Sequence, residues 1–524
     1  MKKLTTQYLT LHIIVFLFTL FLSFEINAAP GDLDLTFDTD GKNILSFGAI
    51  DRGEAMAIQN DGKIVVAGWR ANSTATVIDA FAIRFNTDGS LDTGFGTNGF
   101  TVIDFSGFRN WGYAVAIQAD GKIIIAGTVE VNPTTFVNDI GLIRLNSDGT
   151  PDTSFGTNGK LQANPIGGSE SASAMDLDAN GKIVVTGQWN SNMGVARFNS
   201  DGTYDNSFDV DGSKIIDIPL SGFESANALA IDSNGNMFIA GHVSINSDVD
   251  FAVVKLLSDG TPDTSFSNDG FANIALRVGG EDSARAIALD SDGNIVLAGY
   301  VLNANTDGAI TKIDPSGSQI LSFGNNGSLV FDFGAVDFAN AVAIQFDDKI
   351  IVGGLGNNQL QVGRFNSNGT IDSSFSNNLN NLWGTNGFAA IDFYPMVNTP
   401  DSANALAIDS AGRVIAVGYG NTGTQSDTGI ARFQNFGPTA ANAEISGRVL
   451  STENGRGVSK AIVYLTDQNG NVKTARTNSF GYFHFENMEV GQTLLINAFH
   501  KNFQFNPQVI NFDGEIKELT ITPQ

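Results

Sequence analysis

The chain has 524 residues, 16% charged and 42% hydrophobic, which excludes a disordered tail and a polytopic membrane protein. Its 55 Asp and Glu against 29 Lys and Arg give a net charge of −26, so nucleic acid and anionic lipid are excluded as expected partners. Cys is absent, which removes disulfides, thiolate nucleophiles and cysteine metal sites, and 59 Gly argue against a helical protein.

Lys2 and Lys3 precede an apolar run at 11–24, shorter than the ~20 residues a membrane-spanning helix needs. Small residues follow at Ala28 and Ala29, which makes 1–28 a secretory signal peptide cut before Ala29. An uncleaved anchor is the alternative. No cysteine is present for lipid attachment. The expected location is secreted or at the cell-envelope exterior, with no stable membrane insertion after cleavage.

One segment recurs along the chain. It reads AMAIQNDGKIVVAG at Ala55 and returns at Ala114, Ala174, Ala228, Ala286, Ala341 and Ala405. Each copy is two apolar runs around an Asp/Asn-Gly type turn, a strand–turn–strand signal. A third strand follows, as in FAIRFNTDG and GLIRLNSDG, and then a turn and fourth strand, as in LDTGFGTNGFTVIDF. The last repeat ends after its third strand near Phe433, while an orphan fourth strand stands near the start at 43–47. Pairing the two closes the ring and removes an exposed edge. The expectation is therefore an all-β protein: a seven-bladed β-propeller over 29–437, closed by the N-terminal strand. An open β-solenoid is the alternative, but it leaves the orphan strand unexplained.

The L-D-x-x-F-G and D-G-K-I-x-x-x-G motifs resemble the delta-60 repeat family of extracytoplasmic bacterial repeats. That resemblance implies a fold and no activity. The sixth copy departs from it, with DDK at 347–349 and a longer stretch before Gly387 that carries Trp383.

Asp92, Asp152, Asp205, Asp263 and Asp372 stand three residues before Phe95, Phe155, Phe208, Phe266 and Phe375. The Asp is expected to fix a turn by accepting backbone N–H groups. The Phe is expected to plug the space between blades. Around Asp148 an EF-hand would need ligands where Arg144 and Phe155 stand, so the D-G elements read as turns. No cofactor is expected, and calcium has no support from loop spacing. A basic residue recurs on the third strand at Arg84, Arg144, Arg197, Lys255, Lys312, Arg364 and Arg432. An inter-blade salt bridge is its ordinary role, and a ring of ligand-binding cations is the alternative. Asp79, Asp139, Asp250, Asp307 and Asp427 lie five residues earlier, an odd offset that places them on the other strand face.

The second-to-third-strand loops and the loops into the next blade vary, and both emerge on one face. Irregular loops on a rigid ring are where binding sites are displayed. The speculative ligand-binding residues there are Trp69, Trp111, Trp189, His242, Tyr300, Tyr394 and Tyr419, a set suited to sugars or peptides. Outside the signal only His242, His484 and His500 remain, with no triad pattern and no metal spacing.

After a small-residue linker at 438–443, residues 444–524 show alternating apolar residues and Asn469-Gly470, a β-sandwich pattern. Ser446-Gly447-Arg448-Val449, Thr477-Asn478-Ser479-Phe480-Gly481 and Tyr482-Phe483-His484-Phe485 resemble the carboxypeptidase regulatory-like family. The resemblance implies a prealbumin-type sandwich that accompanies extracellular proteins and is not itself the catalyst. The functional expectation is an exported, non-enzymatic binding or scaffold protein. It would engage glycan, peptide or an envelope protein, with polysaccharide or a cell-envelope protein as partner, through the variable-loop face. The alternative is a propeller hydrolase or lyase acting on extracellular polysaccharide through paired carboxylates.

Overall fold

The computed structural model describes residues 30–434 and 443–523, except 75, 106–108, 133, 136, 219–220, 278, 303–304, 333–334, 377–386, 398, 452–455, 468–471, 489–491 and 513–515. The expected signal peptide at 1–28, residues 438–442 of the expected linker and Trp383 lie outside the described residues. Every named element is a strand, and the chain divides into two units, Pro30–Asn435 and one built on Phe436–Gln524.

In the first unit each repeat folds into one four-stranded antiparallel sheet, here called a blade. Blade 1 runs from Ile50–Ile58 to Phe100–Ile103, blade 2 from Asn110–Ile117 to Lys160–Ala163, and blade 3 from Ala174–Leu177 to Ser213–Ile216. Blade 4 runs from Ser221–Ile231 to Phe271–Ile274, blade 5 from Asp282–Leu289 to Ser328–Phe331, and blade 6 from Phe338–Ile344 to Phe388–Ile391. Blade 7 holds Ser402–Ile408, Val414–Asn421 and Ser426–Phe433, and its fourth strand is Lys42–Leu45 from the other end of the unit. Lys42 stands opposite Ala431 and Leu45 opposite Thr428. First strands of neighbouring blades touch around the ring, and Ile50–Ile58 packs on Ser402–Ile408 to close it. Seven sheets in a closed ring are a seven-bladed β-propeller, as the repeat and the orphan strand predict.

The repeat residues explain the packing. Phe37, Phe95, Phe155, Phe208, Phe266, Phe323 and Phe375 are all buried. Phe37 sits among Ile64 and Phe81 of blade 1 and Ile415 and Ile430 of blade 7, so it fills the seam between two blades. In every blade but the fifth an Asp three residues before the Phe fixes its turn: Asp152 Oδ1 accepts the Ser154 backbone N–H at 3.0 Å and its hydroxyl at 2.7 Å.

The recurring cation of the third strand pairs inside its own repeat, which corrects the expected inter-blade bridge. Arg144 Nε lies 2.7 Å from Asp152 Oδ2, and Lys122 of the hairpin turn lies 2.9 Å from the same oxygen. Arg84, Arg197, Lys255 and Arg364 pair likewise with Asp92, Asp205, Asp263 and Asp372. Each guanidinium covers the buried Phe of its turn, 4.7 Å from the ring centre for Arg144 and Phe155. The inter-blade link is a hydrogen bond from the same cation to a backbone carbonyl of the next repeat, as from Arg144 to Ser200 at 2.5 Å. Blade 5 has Ile320 in place of the Asp, and there Lys312 turns to Asp290 at 2.7 Å. With every one of these cations neutralised, a ring of ligand-binding cations on the third strands does not form.

The second unit packs two sheets, Val472–Arg476, Ile462–Thr466, Gln492–Phe499 and Gln508–Phe512 in one, and Tyr482–Met488, Ala443–Val449 and Ile516–Ile521 in the other. Ile445, Val449, Val463, Phe483, Phe485, Leu494 and Ile496 form its core. This is a small β-sandwich.

Candidate functional site: the central channel

The first strands of the blades enclose a cavity of about 750 Å³. Its chemistry comes from one position in the repeat. In six blades the first strand bulges immediately before the A-x-A motif, between Gly53 and Ala55 in blade 1 and at the equivalent step in blades 2, 4, 5, 6 and 7. A bulge leaves one residue unpaired and re-aims its side chain. The residues so placed are Glu54, Tyr113, Asn227, Arg285, Asn340 and Asn404, with Ser173 in the same place in blade 3, and all seven line the cavity.

These side chains knit neighbouring blades together. Asn227 Nδ2 donates to the Ala284 carbonyl at 2.8 Å, and Arg285 Nη1 to Asn340 Oδ1 at 2.7 Å. Asn340 Nδ2 donates to Ser402 Oγ at 2.9 Å, and Asn404 Nδ2 to Glu54 Oε2 at 2.9 Å. Glu54 also accepts from Trp69 Nε1 at 2.8 Å. Burial in the channel pushes the Glu54 carboxyl up to about 7, against the opposing pull of Trp69, Arg52 and Asn404.

Two arginines stand in the channel between aromatic rings. The Arg52 guanidinium lies 4.2 Å from the Tyr419 ring centre and 5.5 Å from that of Trp69. The Arg285 guanidinium lies 4.1 Å from Phe338 and 4.9 Å from Tyr300. Burial draws the Arg285 pKa down. Nε of Arg52 is buried and meets no acceptor among the described residues. Glu54 is the one carboxylate among the described lining residues, so the lining is cationic inside a protein of charge −26.

The structure gathers part of the predicted residue set here. His242, Tyr300 and Tyr419 line the cavity, and Trp69 reaches it through Glu54. His242 Nδ1 sits 3.0 Å from Ser283 Oγ with its ring stacked on Phe223, and burial lowers its pKa. Tyr300 donates to Glu281 at 2.9 Å. Trp111 is half-buried opposite Thr128 in blade 2 and outside the lining. Tyr394 is half-buried and spends its hydroxyl on Asp427, outside the lining. Trp189 needs correction as a ligand contact: it is fully buried, its ring pressed on Gly194, where a Cβ would meet it at 1.9 Å.

Sequence reasoning missed the bulge residues. Their signal is present, since the residue directly before A-x-A-I/L varies (Glu, Tyr, Ser, Asn, Arg, Asn, Asn) inside an otherwise repeated context. Reading the copy as a regular strand gave that position no special direction.

Comparison with known proteins agrees with this architecture. A family described as "Domain of unknown function (DUF5122) beta-propeller" matches at residues 59–95, 118–155, 179–208, 233–266 and 345–375. The chain carries a β-propeller. Each matched stretch runs from the hairpin turn to the buried Phe. The two repeats without a match are blade 5, which has Ile320 for the turn Asp, and blade 7, whose Asp34 and Phe37 come from the N-terminal end. No curated protein matches the chain. Among solved structures, a catalytically inactive virginiamycin B lyase from Staphylococcus aureus with quinupristin is similar at 13% identity and TM-score 0.42, covering 74% of this chain and 98% of that one. A streptogramin B lyase gives 12% and 0.41, covering 75% and 97%. YCF48 bound to D1 peptide gives 10% and 0.43, covering 78% and 97%.

Proposed function

We propose that the protein is an exported, non-enzymatic binding or scaffold protein whose propeller channel receives an anionic group of its partner. The partner is an acidic glycan segment, a peptide carboxylate or an acidic stretch of an envelope protein. The observation that carries this reading is Arg52: two aromatic rings hold its guanidinium in place, and its buried Nε has no acceptor among the described residues. A guanidinium fixed by stacking loses little freedom on binding and presents a planar fork to a carboxylate. Tyr419, Tyr300 and Trp69 add flat apolar faces, and Asn340 and Asn404 add amides, a mixture that suits sugars and peptides.

The test is calorimetric titration of the full-length protein with acidic oligosaccharides and with acidic peptides, against uncharged analogues. The expected result is saturable binding by one acidic class and weakening by about 10–100-fold in Arg52→Ala, the cost of one charge-assisted hydrogen bond. Equal affinity for the uncharged analogue, or equal binding by Arg52→Ala, would remove the channel from the reading. The hydrolase or lyase alternative requires two open carboxylates, and the described channel lining offers Glu54 alone.

A further inference from the structure

Two guanidiniums stand in the channel without a salt bridge. Elsewhere in the propeller Arg84, Arg144, Arg197, Arg364 and Arg432 each reach an Asp within 2.8 Å. Arg52 and Arg285 have no such partner among the described residues and are held by aromatic rings instead, Arg52 by Tyr419 and Trp69, Arg285 by Phe338 and Tyr300. Glu54 attracts Arg52 from a distance, but its Oε1 accepts from Trp69 and its Oε2 from Asn404. The hydrogen-bonding neighbours of Arg285, Asn340 and Tyr300, are uncharged.

The two cations share one neighbour. Arg52 belongs to blade 1 and Arg285 to blade 5, and Tyr419 of blade 7 stands between them in the order of the ring. Burial raises the Tyr419 hydroxyl pKa and both guanidiniums oppose that rise, so both lie within electrostatic reach of this one side chain. A ligand with a single negative charge would answer one guanidinium and leave the other enclosed without a counter-charge, the costlier arrangement. Round the other arc of the ring, Tyr113 of blade 2 and Ser173 of blade 3 line the cavity, and neither side-chain hydroxyl has a hydrogen-bond partner among the described residues.

Resting on the anion-receiving channel proposed above, we infer that its ligand is an oligouronide, a glycan segment with two carboxylates, one held by Arg52 and the other by Arg285. A uronide carries its carboxylate and several hydroxyls on the same rigid ring, so it answers the two cations and the unspent hydroxyls of Tyr113 and Ser173 together. An acidic peptide carries its charges on flexible stems, and ordering each stem costs affinity. The cavity, at about 750 Å³, has the size of sites that enclose a drug-sized ligand, which a disaccharide is.

The test is calorimetric titration of full-length protein at pH 7.5 with monogalacturonic acid, digalacturonic acid and a triglutamate peptide. Digalacturonic acid is expected to bind about 10–100-fold more tightly than the monomer, the gain of a second charge-assisted contact. That advantage should vanish in Arg285→Met and in Arg52→Met, and Arg285→Lys, which keeps the cation, should retain part of it. If Arg285→Met does not fold, the unaltered protein still decides, because two ion contacts give the dimer a steeper loss of affinity with salt than the monomer. Equal affinity for monomer and dimer, or a dimer advantage that survives Arg285→Met, would overturn the inference while leaving Arg52 as an anion contact. Triglutamate binding as tightly as digalacturonic acid would overturn the glycan and keep the anion-receiving channel. Absence of binding by all three acids would overturn this inference and the channel reading together.

Discussion

The seams are decided at single residues. Gly202 has φ of 90° and belongs to the turn after the third strand of blade 3; a Cβ there would meet the Phe155 ring of blade 2 at 2.7 Å. Gly149 meets Phe95 in the same way one blade earlier. The glycine of N-S-D-G therefore serves twice: it permits the left-handed backbone and it leaves room for the neighbouring blade's plug. Gly202→Ala is expected to cost about 2–4 kcal/mol, from backbone strain together with the clash, measured as a shift in urea midpoint. The Asp-Gly turns and the Phe plugs were legible in the sequence because both rest on local chemistry. The partner of the third-strand cation was not, because eight residues separate Arg144 from Asp152 and only the fold of the turn brings them together.

The element that matters most is the shortest. Lys42–Leu45 is four residues long, yet it completes blade 7 and covers its edge. The segment before it is fastened as well: Asp34 is fully buried, pairs with Arg432 at 2.7 Å and with Arg413 at 3.1 Å, and donates its backbone N–H to the Arg432 carbonyl. Asp34 and Phe37 thus supply blade 7 with the turn residues that other blades hold in sequence. Asp34→Ala leaves Arg432 buried without its carboxylate and is expected to destabilise the propeller by about 3–5 kcal/mol. Thermal melts check this, and a loss below about 1 kcal/mol would mean that the closing strand holds without its anchor. The closure was legible from the sequence because an incomplete last repeat and an orphan first strand complement each other. The bulges were not, since a bulge is one extra residue in a register that only the paired strand reveals.

At the scale of the whole molecule, charge is distributed in opposite senses. The outer turns hold ionised carboxylates: hydrogen bonds from Lys255 and Ser265 draw the Asp263 pKa down to about 2. The seams do the reverse, and burial pushes Asp51, Asp282 and Asp401 up to about 6. The depressed group contributes stability that is present above its unfolded value and lost as pH falls through about 2. The raised groups take up protons on folding, so their burden is absent near pH 4 and complete above about 6. The protein is therefore expected to be most stable near pH 4–5 and to weaken toward pH 7 by at most about 3 kcal/mol for each such carboxyl. Urea titrations across this range check the sign, and stability rising from pH 5 to 7 would contradict it.

The sequence by itself determined the all-β class, the sevenfold repeat, the closing strand and the residues of the turns, because a repeat copies its local chemistry into every unit. Only the tertiary structure decided which residues face the channel and which face one another across a seam. Glu54 meets Asn404 and Arg52 meets Tyr419 across the ring's closure, some 350 residues apart in the chain. Asp250 meets Asp282 because successive blades lay a third strand against the next first strand. Strand periodicity assigns a face to each side chain, but the partner on that face is set by how the blades close on themselves.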